Sequence, residues 1–230
     1  MKSNLNLGFA KVLIVLTLGL TLAPFLFGAE KKMQEKPSNM AKQEPMMAMD
    51  TETAVFAGGC FWGMEGIFEQ LNGVKDVVSG YSGGDAKSAQ YGMVSSGNTG
   101  HAESIKITYD PKTIDFETLL KVFFLAAHDP TELNYQGPDE GTQYRSAVFY
   151  MNNMQKELTE KAIMDLETKK VYRNKIVTEV TPYKAFYPAE DYHQGFMRMH
   201  PDNPYIMQWD APKVEMLKKK FPGLLRHKGM

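Results

Sequence analysis

The chain has 230 residues, with 26 Lys and Arg against 27 Asp and Glu and a formal net charge of −1, so it carries no basic footprint for nucleic acid. Apolar residues make up 43% and charged residues 23%, the balance of an ordinary globular protein of one or two domains. A single cysteine excludes an internal disulfide and any multi-cysteine zinc site, and the five histidines lack the spacing of metal ligands.

Residues 1–29 read as an export signal. Lys2 and Lys11 supply positive charge, Val12 to Leu22 is an uninterrupted run of apolar and small residues, and Pro24 to Ala29 follows. A cut after Ala29 leaves Phe27 where a small residue is preferred, so an uncleaved membrane anchor facing the periplasm is the alternative. The expected location is outside the cytoplasm, in the bacterial periplasm. Residues 30–50 hold no Val, Ile, Leu or aromatic side chain and are expected to form a flexible linker, because they bury too little to offset their ordering entropy. Its methionines, Met33, Met40, Met46, Met47 and Met49, read either as chance features of a solvated tether or as a sacrificial oxidant trap, since methionine oxidises reversibly.

The folded domain is placed at residues 51–225, with 226–230 as a tail. It opens with a short buried strand, Thr53 to Ala57, followed by Gly58-Gly59-Cys60-Phe61-Trp62-Gly63. Met64, Ile67, Phe68 and Leu71 then recur at helical spacing. Cys60 therefore stands at a strand-to-helix junction. Two readings are open there: a thiolate stabilised by unpaired N–H groups and the helix dipole, or a small cysteine filling a core gap. Asn72-Gly73 turns the chain into a strand over Val74 to Gly80. The polar loop Ser82 to Gly100 is too long for a plain connection and is expected to carry function. Ile105, Ile107 and Tyr109 alternate as a strand. Asp115 caps a helix whose Phe116, Leu119, Leu120, Phe123 and Phe124 share a face. A second irregular loop, His128 to Gln143, leads to a strand over Ser146 to Tyr150. Asn153 is placed as the cap of a helix with Met154, Leu158, Ala162 and Leu166 inward, and Ile176 to Val180 as a further strand. Phe186 to Trp209 reads as loop, and Val214, Leu217 and Phe221 mark a last short helix. The order β-α-β-β-α-β predicts an α+β fold, a ferredoxin-like split βαβ mixed sheet with helices packed on it and long functional loops.

Five stretches stand out in order: Gly-Gly-Cys-Phe-Trp-Gly at 58–63, Gly-Tyr-Ser-Gly-Gly at 80–84, Gly-His-Ala-Glu at 100–103, Gly-Thr-Gln-Tyr-Arg-Ser at 141–146 and Ala-Glu-Asp-Tyr-His-Gln at 189–194. Together they resemble the A-type peptide methionine sulfoxide reductases over nearly the whole folded domain. The resemblance implies reduction of methionine-S-sulfoxide, free or in oxidised proteins, with no bound cofactor and an external thiol as reductant, either a thioredoxin-like protein or a small thiol. It implies that Cys60 attacks the sulfoxide sulfur and becomes a sulfenic acid, the reversible rung of cysteine oxidation. It makes Glu103 the acid that protonates the sulfoxide oxygen, a role that needs a raised pKa. The residue alone reads rather as an exposed strand carboxylate. Tyr91 and Tyr144 are implied to hydrogen-bond the substrate oxygen, Asp139 to organise the site, and Phe61 and Trp62 to grip the substrate methyl group. Arg145 is expected to steady the carboxylates, and His101, His128 and His193 to be structural.

Two departures from the family pattern matter. Pro138 precedes Asp139 where an asparagine is usual, and the region His200 to Lys213 has no resolving cysteine, so regeneration of Cys60 is expected from outside the chain. The enzyme is expected to act as a monomer. A cysteine hydrolase or acyltransferase using Cys60 with a histidine is one alternative, although Trp62 stands where a nucleophile elbow needs glycine. A non-catalytic module binding methionine-rich segments is another.

Overall fold

The structure, a computed structural model, describes residues 50–226; the expected export signal and nearly all of the linker lie outside the described residues. The domain begins with β1 (Glu52–Ala57), α1 (Phe61–Phe68) and β2 (Val74–Ser82). The four-residue helix α2 (Tyr91–Val94) interrupts the following loop before β3 (Ala102–Tyr109) and α3 (Phe116–Val122). A turn of π helix over Phe123–Ala127 extends α3. The short hairpin of β4 (Tyr135–Gln136) and β5 (Asp139–Glu140) precedes β6 (Ala147–Tyr150) and α4 (Asn153–Thr168). The chain ends through β7 (Glu179–Pro182), β8 (Phe186–Pro188), α5 (Phe196–Met199) and α6 (Ala211–Lys220).

Six strands form one mixed sheet in the order β7-β6-β1-β3-β2-β8. β1 runs antiparallel to both β3 and β6, β2 runs antiparallel to β3 and β8, and only β6 and β7 are parallel. The centre of the sheet is covered on both faces, which is why β1 is apolar without alternation from Ala54 to Ala57. Ala54 and Phe56 point into the main core with α1 and α3, while Val55 and Ala57 join a smaller cluster with Ala102, Ala147 and Phe149 on the other face. The ring of Phe56 lies 5.8 Å from Phe68, 5.8 Å from Phe116 and 4.9 Å from Phe123. One strand side chain thus fastens α1 and α3 to the sheet, within the range of favourable aromatic pairing.

The helix face of Met64, Ile67, Phe68 and Leu71 is fully buried, and Asp115 accepts a 2.7 Å bond from the Thr118 N–H, as the sequence predicts. Other elements differ. The cap of α4 is Asn152, which accepts from the Gln155 N–H at 2.9 Å, so Asn153 is already helical. Met154 is 49% exposed and the fully buried side chains of α4 are Gln155 and Thr159. Thr159 returns its hydroxyl to the Gln155 carbonyl, and Gln155 reaches the Thr53 carbonyl, so these polar groups enter the interior with their hydrogen bonds made. The strand expected at Ile176 to Val180 lies three residues later as β7; Ile176 is a buried plug, not a paired residue. The stretch from Phe186 to Trp209 carries β8, α5 and a π turn instead of loop. Arg226, assigned to the tail, bonds the carbonyls of Gln70, Leu71 and Val74 and closes the domain against the end of α1 and the start of β2.

Candidate active site

Three glycines bring the chain close enough to its neighbours to form the site. A Cβ at Gly58 would lie 2.9 Å from the His128 ring, and at Gly59 2.5 Å from the Gln136 side chain. Gly59 also has φ +89°, a conformation glycine adopts without strain. A Cβ at Gly63 would sit 2.1 Å from the Asp210 carboxylate. Between them Cys60 occupies the N-cap position of α1, 8% exposed. No acidic side chain lies in the first turn of α1. The first of its orphan N–H groups, that of Phe61, donates to Glu103 Oε2 at 3.1 Å.

Glu103 is not an exposed strand carboxylate. It is 2% exposed on β3, opposite Tyr81 on β2. Burial pushes its carboxyl up to about 8; the Phe61 N–H opposes that shift and Asp139 adds to it. Glu103 therefore holds its proton near neutral pH. Burial also raises Cys60 well above its ordinary value, followed by the negative charges of Glu103 and Asp210, and only the Trp62 backbone N–H acts the other way. Of the two readings open for Cys60, the resting thiolate gives way to a neutral thiol: loss of water at the sulfur outweighs the helix N-terminus.

Tyr91 and Tyr144 are both half-buried, and their phenols are raised first by burial and then by Glu103. Cys60 and Asp139 also act on both rings, so the five groups share one electrostatic neighbourhood. Neither hydroxyl has a hydrogen-bond partner among the described residues, which leaves both O–H groups available to an incoming oxygen. Asp139 follows the tight turn at Gly137 on β5, and its Oδ2 accepts from the Tyr205 hydroxyl. Burial raises Asp139, with Tyr205 and Lys213 opposing.

The two aromatics after Cys60 differ. Phe61 is 1% exposed, packed 5.0 Å from the His193 ring and 5.9 Å from Tyr81, and forms a floor. Trp62 is the accessible one. Its indole stacks on Phe196 at 3.8 Å and 14°, meets Tyr205 edge-on at 6.0 Å, and donates from Nε1 to His193 Nδ1 at 3.1 Å.

Among the described residues, no histidine hydrogen-bonds Cys60. His128 bonds the Phe123 carbonyl at 2.9 Å and Ser146 Oγ at 2.7 Å, and burial lowers it to about 4. His101 accepts from the Gly84 N–H and bonds the Asp85 carbonyl, while His193 receives the Trp62 indole N–H. The hydrolase alternative therefore lacks its partner. Arg145 does not reach Glu103 or Asp139. It pairs with Glu179 at 3.0 Å and donates to the carbonyls of Thr142 and Gly100, tying the loops behind the site.

Several residues of the site carried no role in the sequence. Glu190 accepts from the Tyr91 N–H and the Tyr81 hydroxyl, both at 2.9 Å, and so fixes the start of α2. Its motif, Ala189 to Gln194, was the available signal. Phe196 and Tyr205 come from the stretch read as loop, and Asp210 follows directly after it. A neutral thiol beside a protonated carboxyl and two unengaged phenols defines a class of enzyme: one whose thiol attacks an electrophilic atom while the oxygen on that atom is protonated and leaves.

The comparisons with known proteins give that class a family. The family model described as Peptide methionine sulfoxide reductase matches residues 52–224. A peptide methionine sulfoxide reductase MsrA 2 of Mesorhizobium japonicum is 51% identical over 79% of this chain and 93% of its own length. That of Synechocystis sp. is 44% identical over 91% of this chain and 98% of its own. Among solved structures, reduced Mxr1 of Saccharomyces cerevisiae superposes with TM-score 0.61 at 34% identity, covering 66% of this chain and 87% of that one. Methionine sulfoxide reductase A of Corynebacterium diphtheriae gives 0.58 at 34% identity, over 66% and 76% of the two chains. The chain belongs to the peptide methionine sulfoxide reductase family, in its A type. It is a thiol-dependent reductase of methionine-S-sulfoxide that uses no bound cofactor and takes its electrons from an external thiol.

Proposed function

We propose that the enzyme works with Cys60 alone, Glu103 as the proton donor, and a reductant that meets the Cys60 sulfenic acid directly. The observation that carries this is the 3.1 Å bond from the Phe61 N–H to Glu103 Oε2, which ties the acid to the residue next to the nucleophile. The sulfoxide oxygen accepts hydrogen bonds from Tyr91, Tyr144 and protonated Glu103, its sulfur faces Cys60, and its methyl group rests against Trp62 above Phe61. Attack forms the S–S bond as Glu103 delivers its proton to the oxygen. The Cys60 proton joins it, so the S–O bond breaks and the oxygen leaves as water. Water then adds to the Cys60 sulfur, the S–S bond breaks to release methionine, one proton returns to Glu103, and Cys60 is left as a sulfenic acid. One external thiol then displaces water to give a mixed disulfide, and a second releases the Cys60 thiol and a disulfide product. Asp139, held by Tyr205, keeps negative charge near Glu103 and so favours its protonated form.

A thioredoxin-like protein is the reductant we favour over a small thiol, because a sulfenic acid on a single buried cysteine needs two thiols in quick succession and a dithiol supplies both. The location we propose is the periplasm, supported by the charged start and the apolar run of residues 1–29. The domain layout follows: signal 1–29, linker 30–50, catalytic domain 51–226, extended by the bonds of Arg226, and tail 227–230, acting as a monomer. For the fold, the order of β6, β1, β3 and β2 supports a ferredoxin-like split βαβ core, with β7 and β8 added at its edges.

The test is an assay on separated S and R sulfoxides with a dithiol, glutathione and thioredoxin as donors. Turnover of the S epimer alone, fastest with thioredoxin, is expected. Equal turnover of both epimers overturns the site assignment, and glutathione outpacing thioredoxin overturns the proposed donor. Cell fractionation of the full-length chain checks the location; recovery in the cytoplasm alone rejects it.

A further inference from the structure

Asp210 is a carboxylate buried at 0% exposure and without a role in the steps above; burial raises its pKa and Lys213 opposes that shift. It ends the π turn of Ile206–Asp210 and leads into α6. Its Oδ1 meets Lys213 Nζ at 3.1 Å, one turn along α6, while its Oδ2 is buried with no hydrogen-bond partner among the described residues. A buried carboxylate oxygen left unpaired is costly, and a structure that keeps one invites a functional explanation. Its position supplies one. Oδ1 lies only 2.1 Å from where a Cβ of Gly63 would be, so the carboxylate rests on the first turn of α1, three residues after Cys60. The last glycine of Gly-Gly-Cys-Phe-Trp-Gly is there to admit it.

We propose that the Asp210–Lys213 pair is a positioning device that acts on the charge state of Cys60 through the first turn of α1, adding to burial in holding the resting sulfur as a neutral thiol. The carboxylate rests on the turn, and the Lys213 ammonium bonded to the same oxygen offsets part of its charge, so net negative charge stands against the start of α1. Negative charge beside a helix N-terminus offsets the positive end that would otherwise favour a thiolate. The other groups acting on Cys60 are Glu103 from β3 and Asp139 from β5, both of which also disfavour the thiolate. Phenols face it from Tyr91, Tyr144 and Tyr205. Asp210 ranks second among the charges that raise Cys60, after Glu103. It differs from Glu103 in having no part in proton delivery. An enzyme whose substrates are made by oxidants gains from this arrangement, because thiolates, not thiols, react with peroxide.

The test is the pH profile of Cys60 alkylation by iodoacetamide in the full-length protein, which has no other thiol. Asp210→Asn keeps the shape that packs on Gly63 and removes the negative charge while Lys213 remains. Its alkylation midpoint is expected to fall by about one unit, which raises the rate at neutral pH about tenfold. The double variant Asp210→Asn/Lys213→Met removes both charges and is expected to lie between Asp210→Asn and the parent. A midpoint at or above the parent value in Asp210→Asn, or a double variant below the single one, overturns the proposal. If Asp210→Asn does not fold, the double variant decides: a midpoint below the parent supports the assignment, and one at or above it rejects it. A merely structural Asp210 would lower thermal stability without ordering the midpoints in this way.

Discussion

Helix α1 spans 8 residues, and all but Trp62 and Gly66 are buried; α4 spans 16 and fully buries only Gln155 and Thr159. α4 looks after itself. Asn152 caps its start, and Lys156 with Glu160 and Lys161 with Asp165 pair along its surface at one-turn spacing. α1 has no side-chain cap and no charged pair of its own, and it is too short to hold in isolation. What holds it is the set of side chains packed around it, including Asp210 on Gly63 and the Ser79 and Gly195 bonds to buried Glu65. A capped helix spends its first N–H groups on its own cap. An uncapped one leaves them for chemistry, and here the first goes to Glu103.

The largest expected effect therefore falls at the head of α1. Cys60→Ser should abolish S-sulfoxide reduction while leaving near-ultraviolet circular dichroism and the melting temperature almost unchanged; retained turnover would remove Cys60 as the nucleophile. Glu103→Gln should slow the sulfoxide-cleaving step by about 10²–10⁴-fold in single-turnover kinetics. In the parent enzyme that step should weaken as pH rises through about 8, where Glu103 loses its proton. Stability follows the same group. Its folded-state pKa is raised above the unfolded value, so its contribution is full below that unfolded value and is lost as pH rises through about 8. Glu103→Gln should flatten this slope in melting temperature between pH 5 and 8, and an unchanged slope would show that another group causes it.

Packing supplies the next effect. Gly63→Ala drives a methyl group into Asp210 and should cost about 1–3 kcal/mol in urea denaturation. Gly92→Ala on α2, with nothing within 4 Å of the added Cβ, should be neutral or stabilising by about 0.4–1 kcal/mol. Equal effects at the two glycines would undo the argument that α1 depends on its surroundings. The smallest effect belongs to α4: Asn152→Ala should cost about 1 kcal/mol and leave sulfoxide turnover untouched.

The same contrast explains what the sequence reveals. Met64, Ile67, Phe68 and Leu71 announce α1 because a buried face repeats every turn. Asp115 announces α3 because its cap bond is local. In α4 Leu158, Ala162 and Leu166 pack against the core as their period predicts, but the fully buried groups are Gln155 and Thr159, which no apolar period marks, so Met154 was placed inside and lies outside. Cys60 and Glu103 were legible from the motifs that contain them. The partners that tune them were not. Tyr205 meets Asp139 across 66 positions of chain, and Asp210 meets Gly63 from a π turn too short to show a period. Phe196 stacks on Trp62 from a four-residue helix. Contacts made by short irregular elements depend on where the sheet carries them, and their own residues give no sign of it.

The three glycines around Cys60 admit three different side chains: His128 at Gly58, Gln136 at Gly59 and Asp210 at Gly63. Each pair is a lock between neighbours distant in sequence, and neither half can change freely without the other. Relatives that carry a larger residue at one of these glycines should carry a smaller one opposite it. The history of the family should therefore record these positions as couples that drift together.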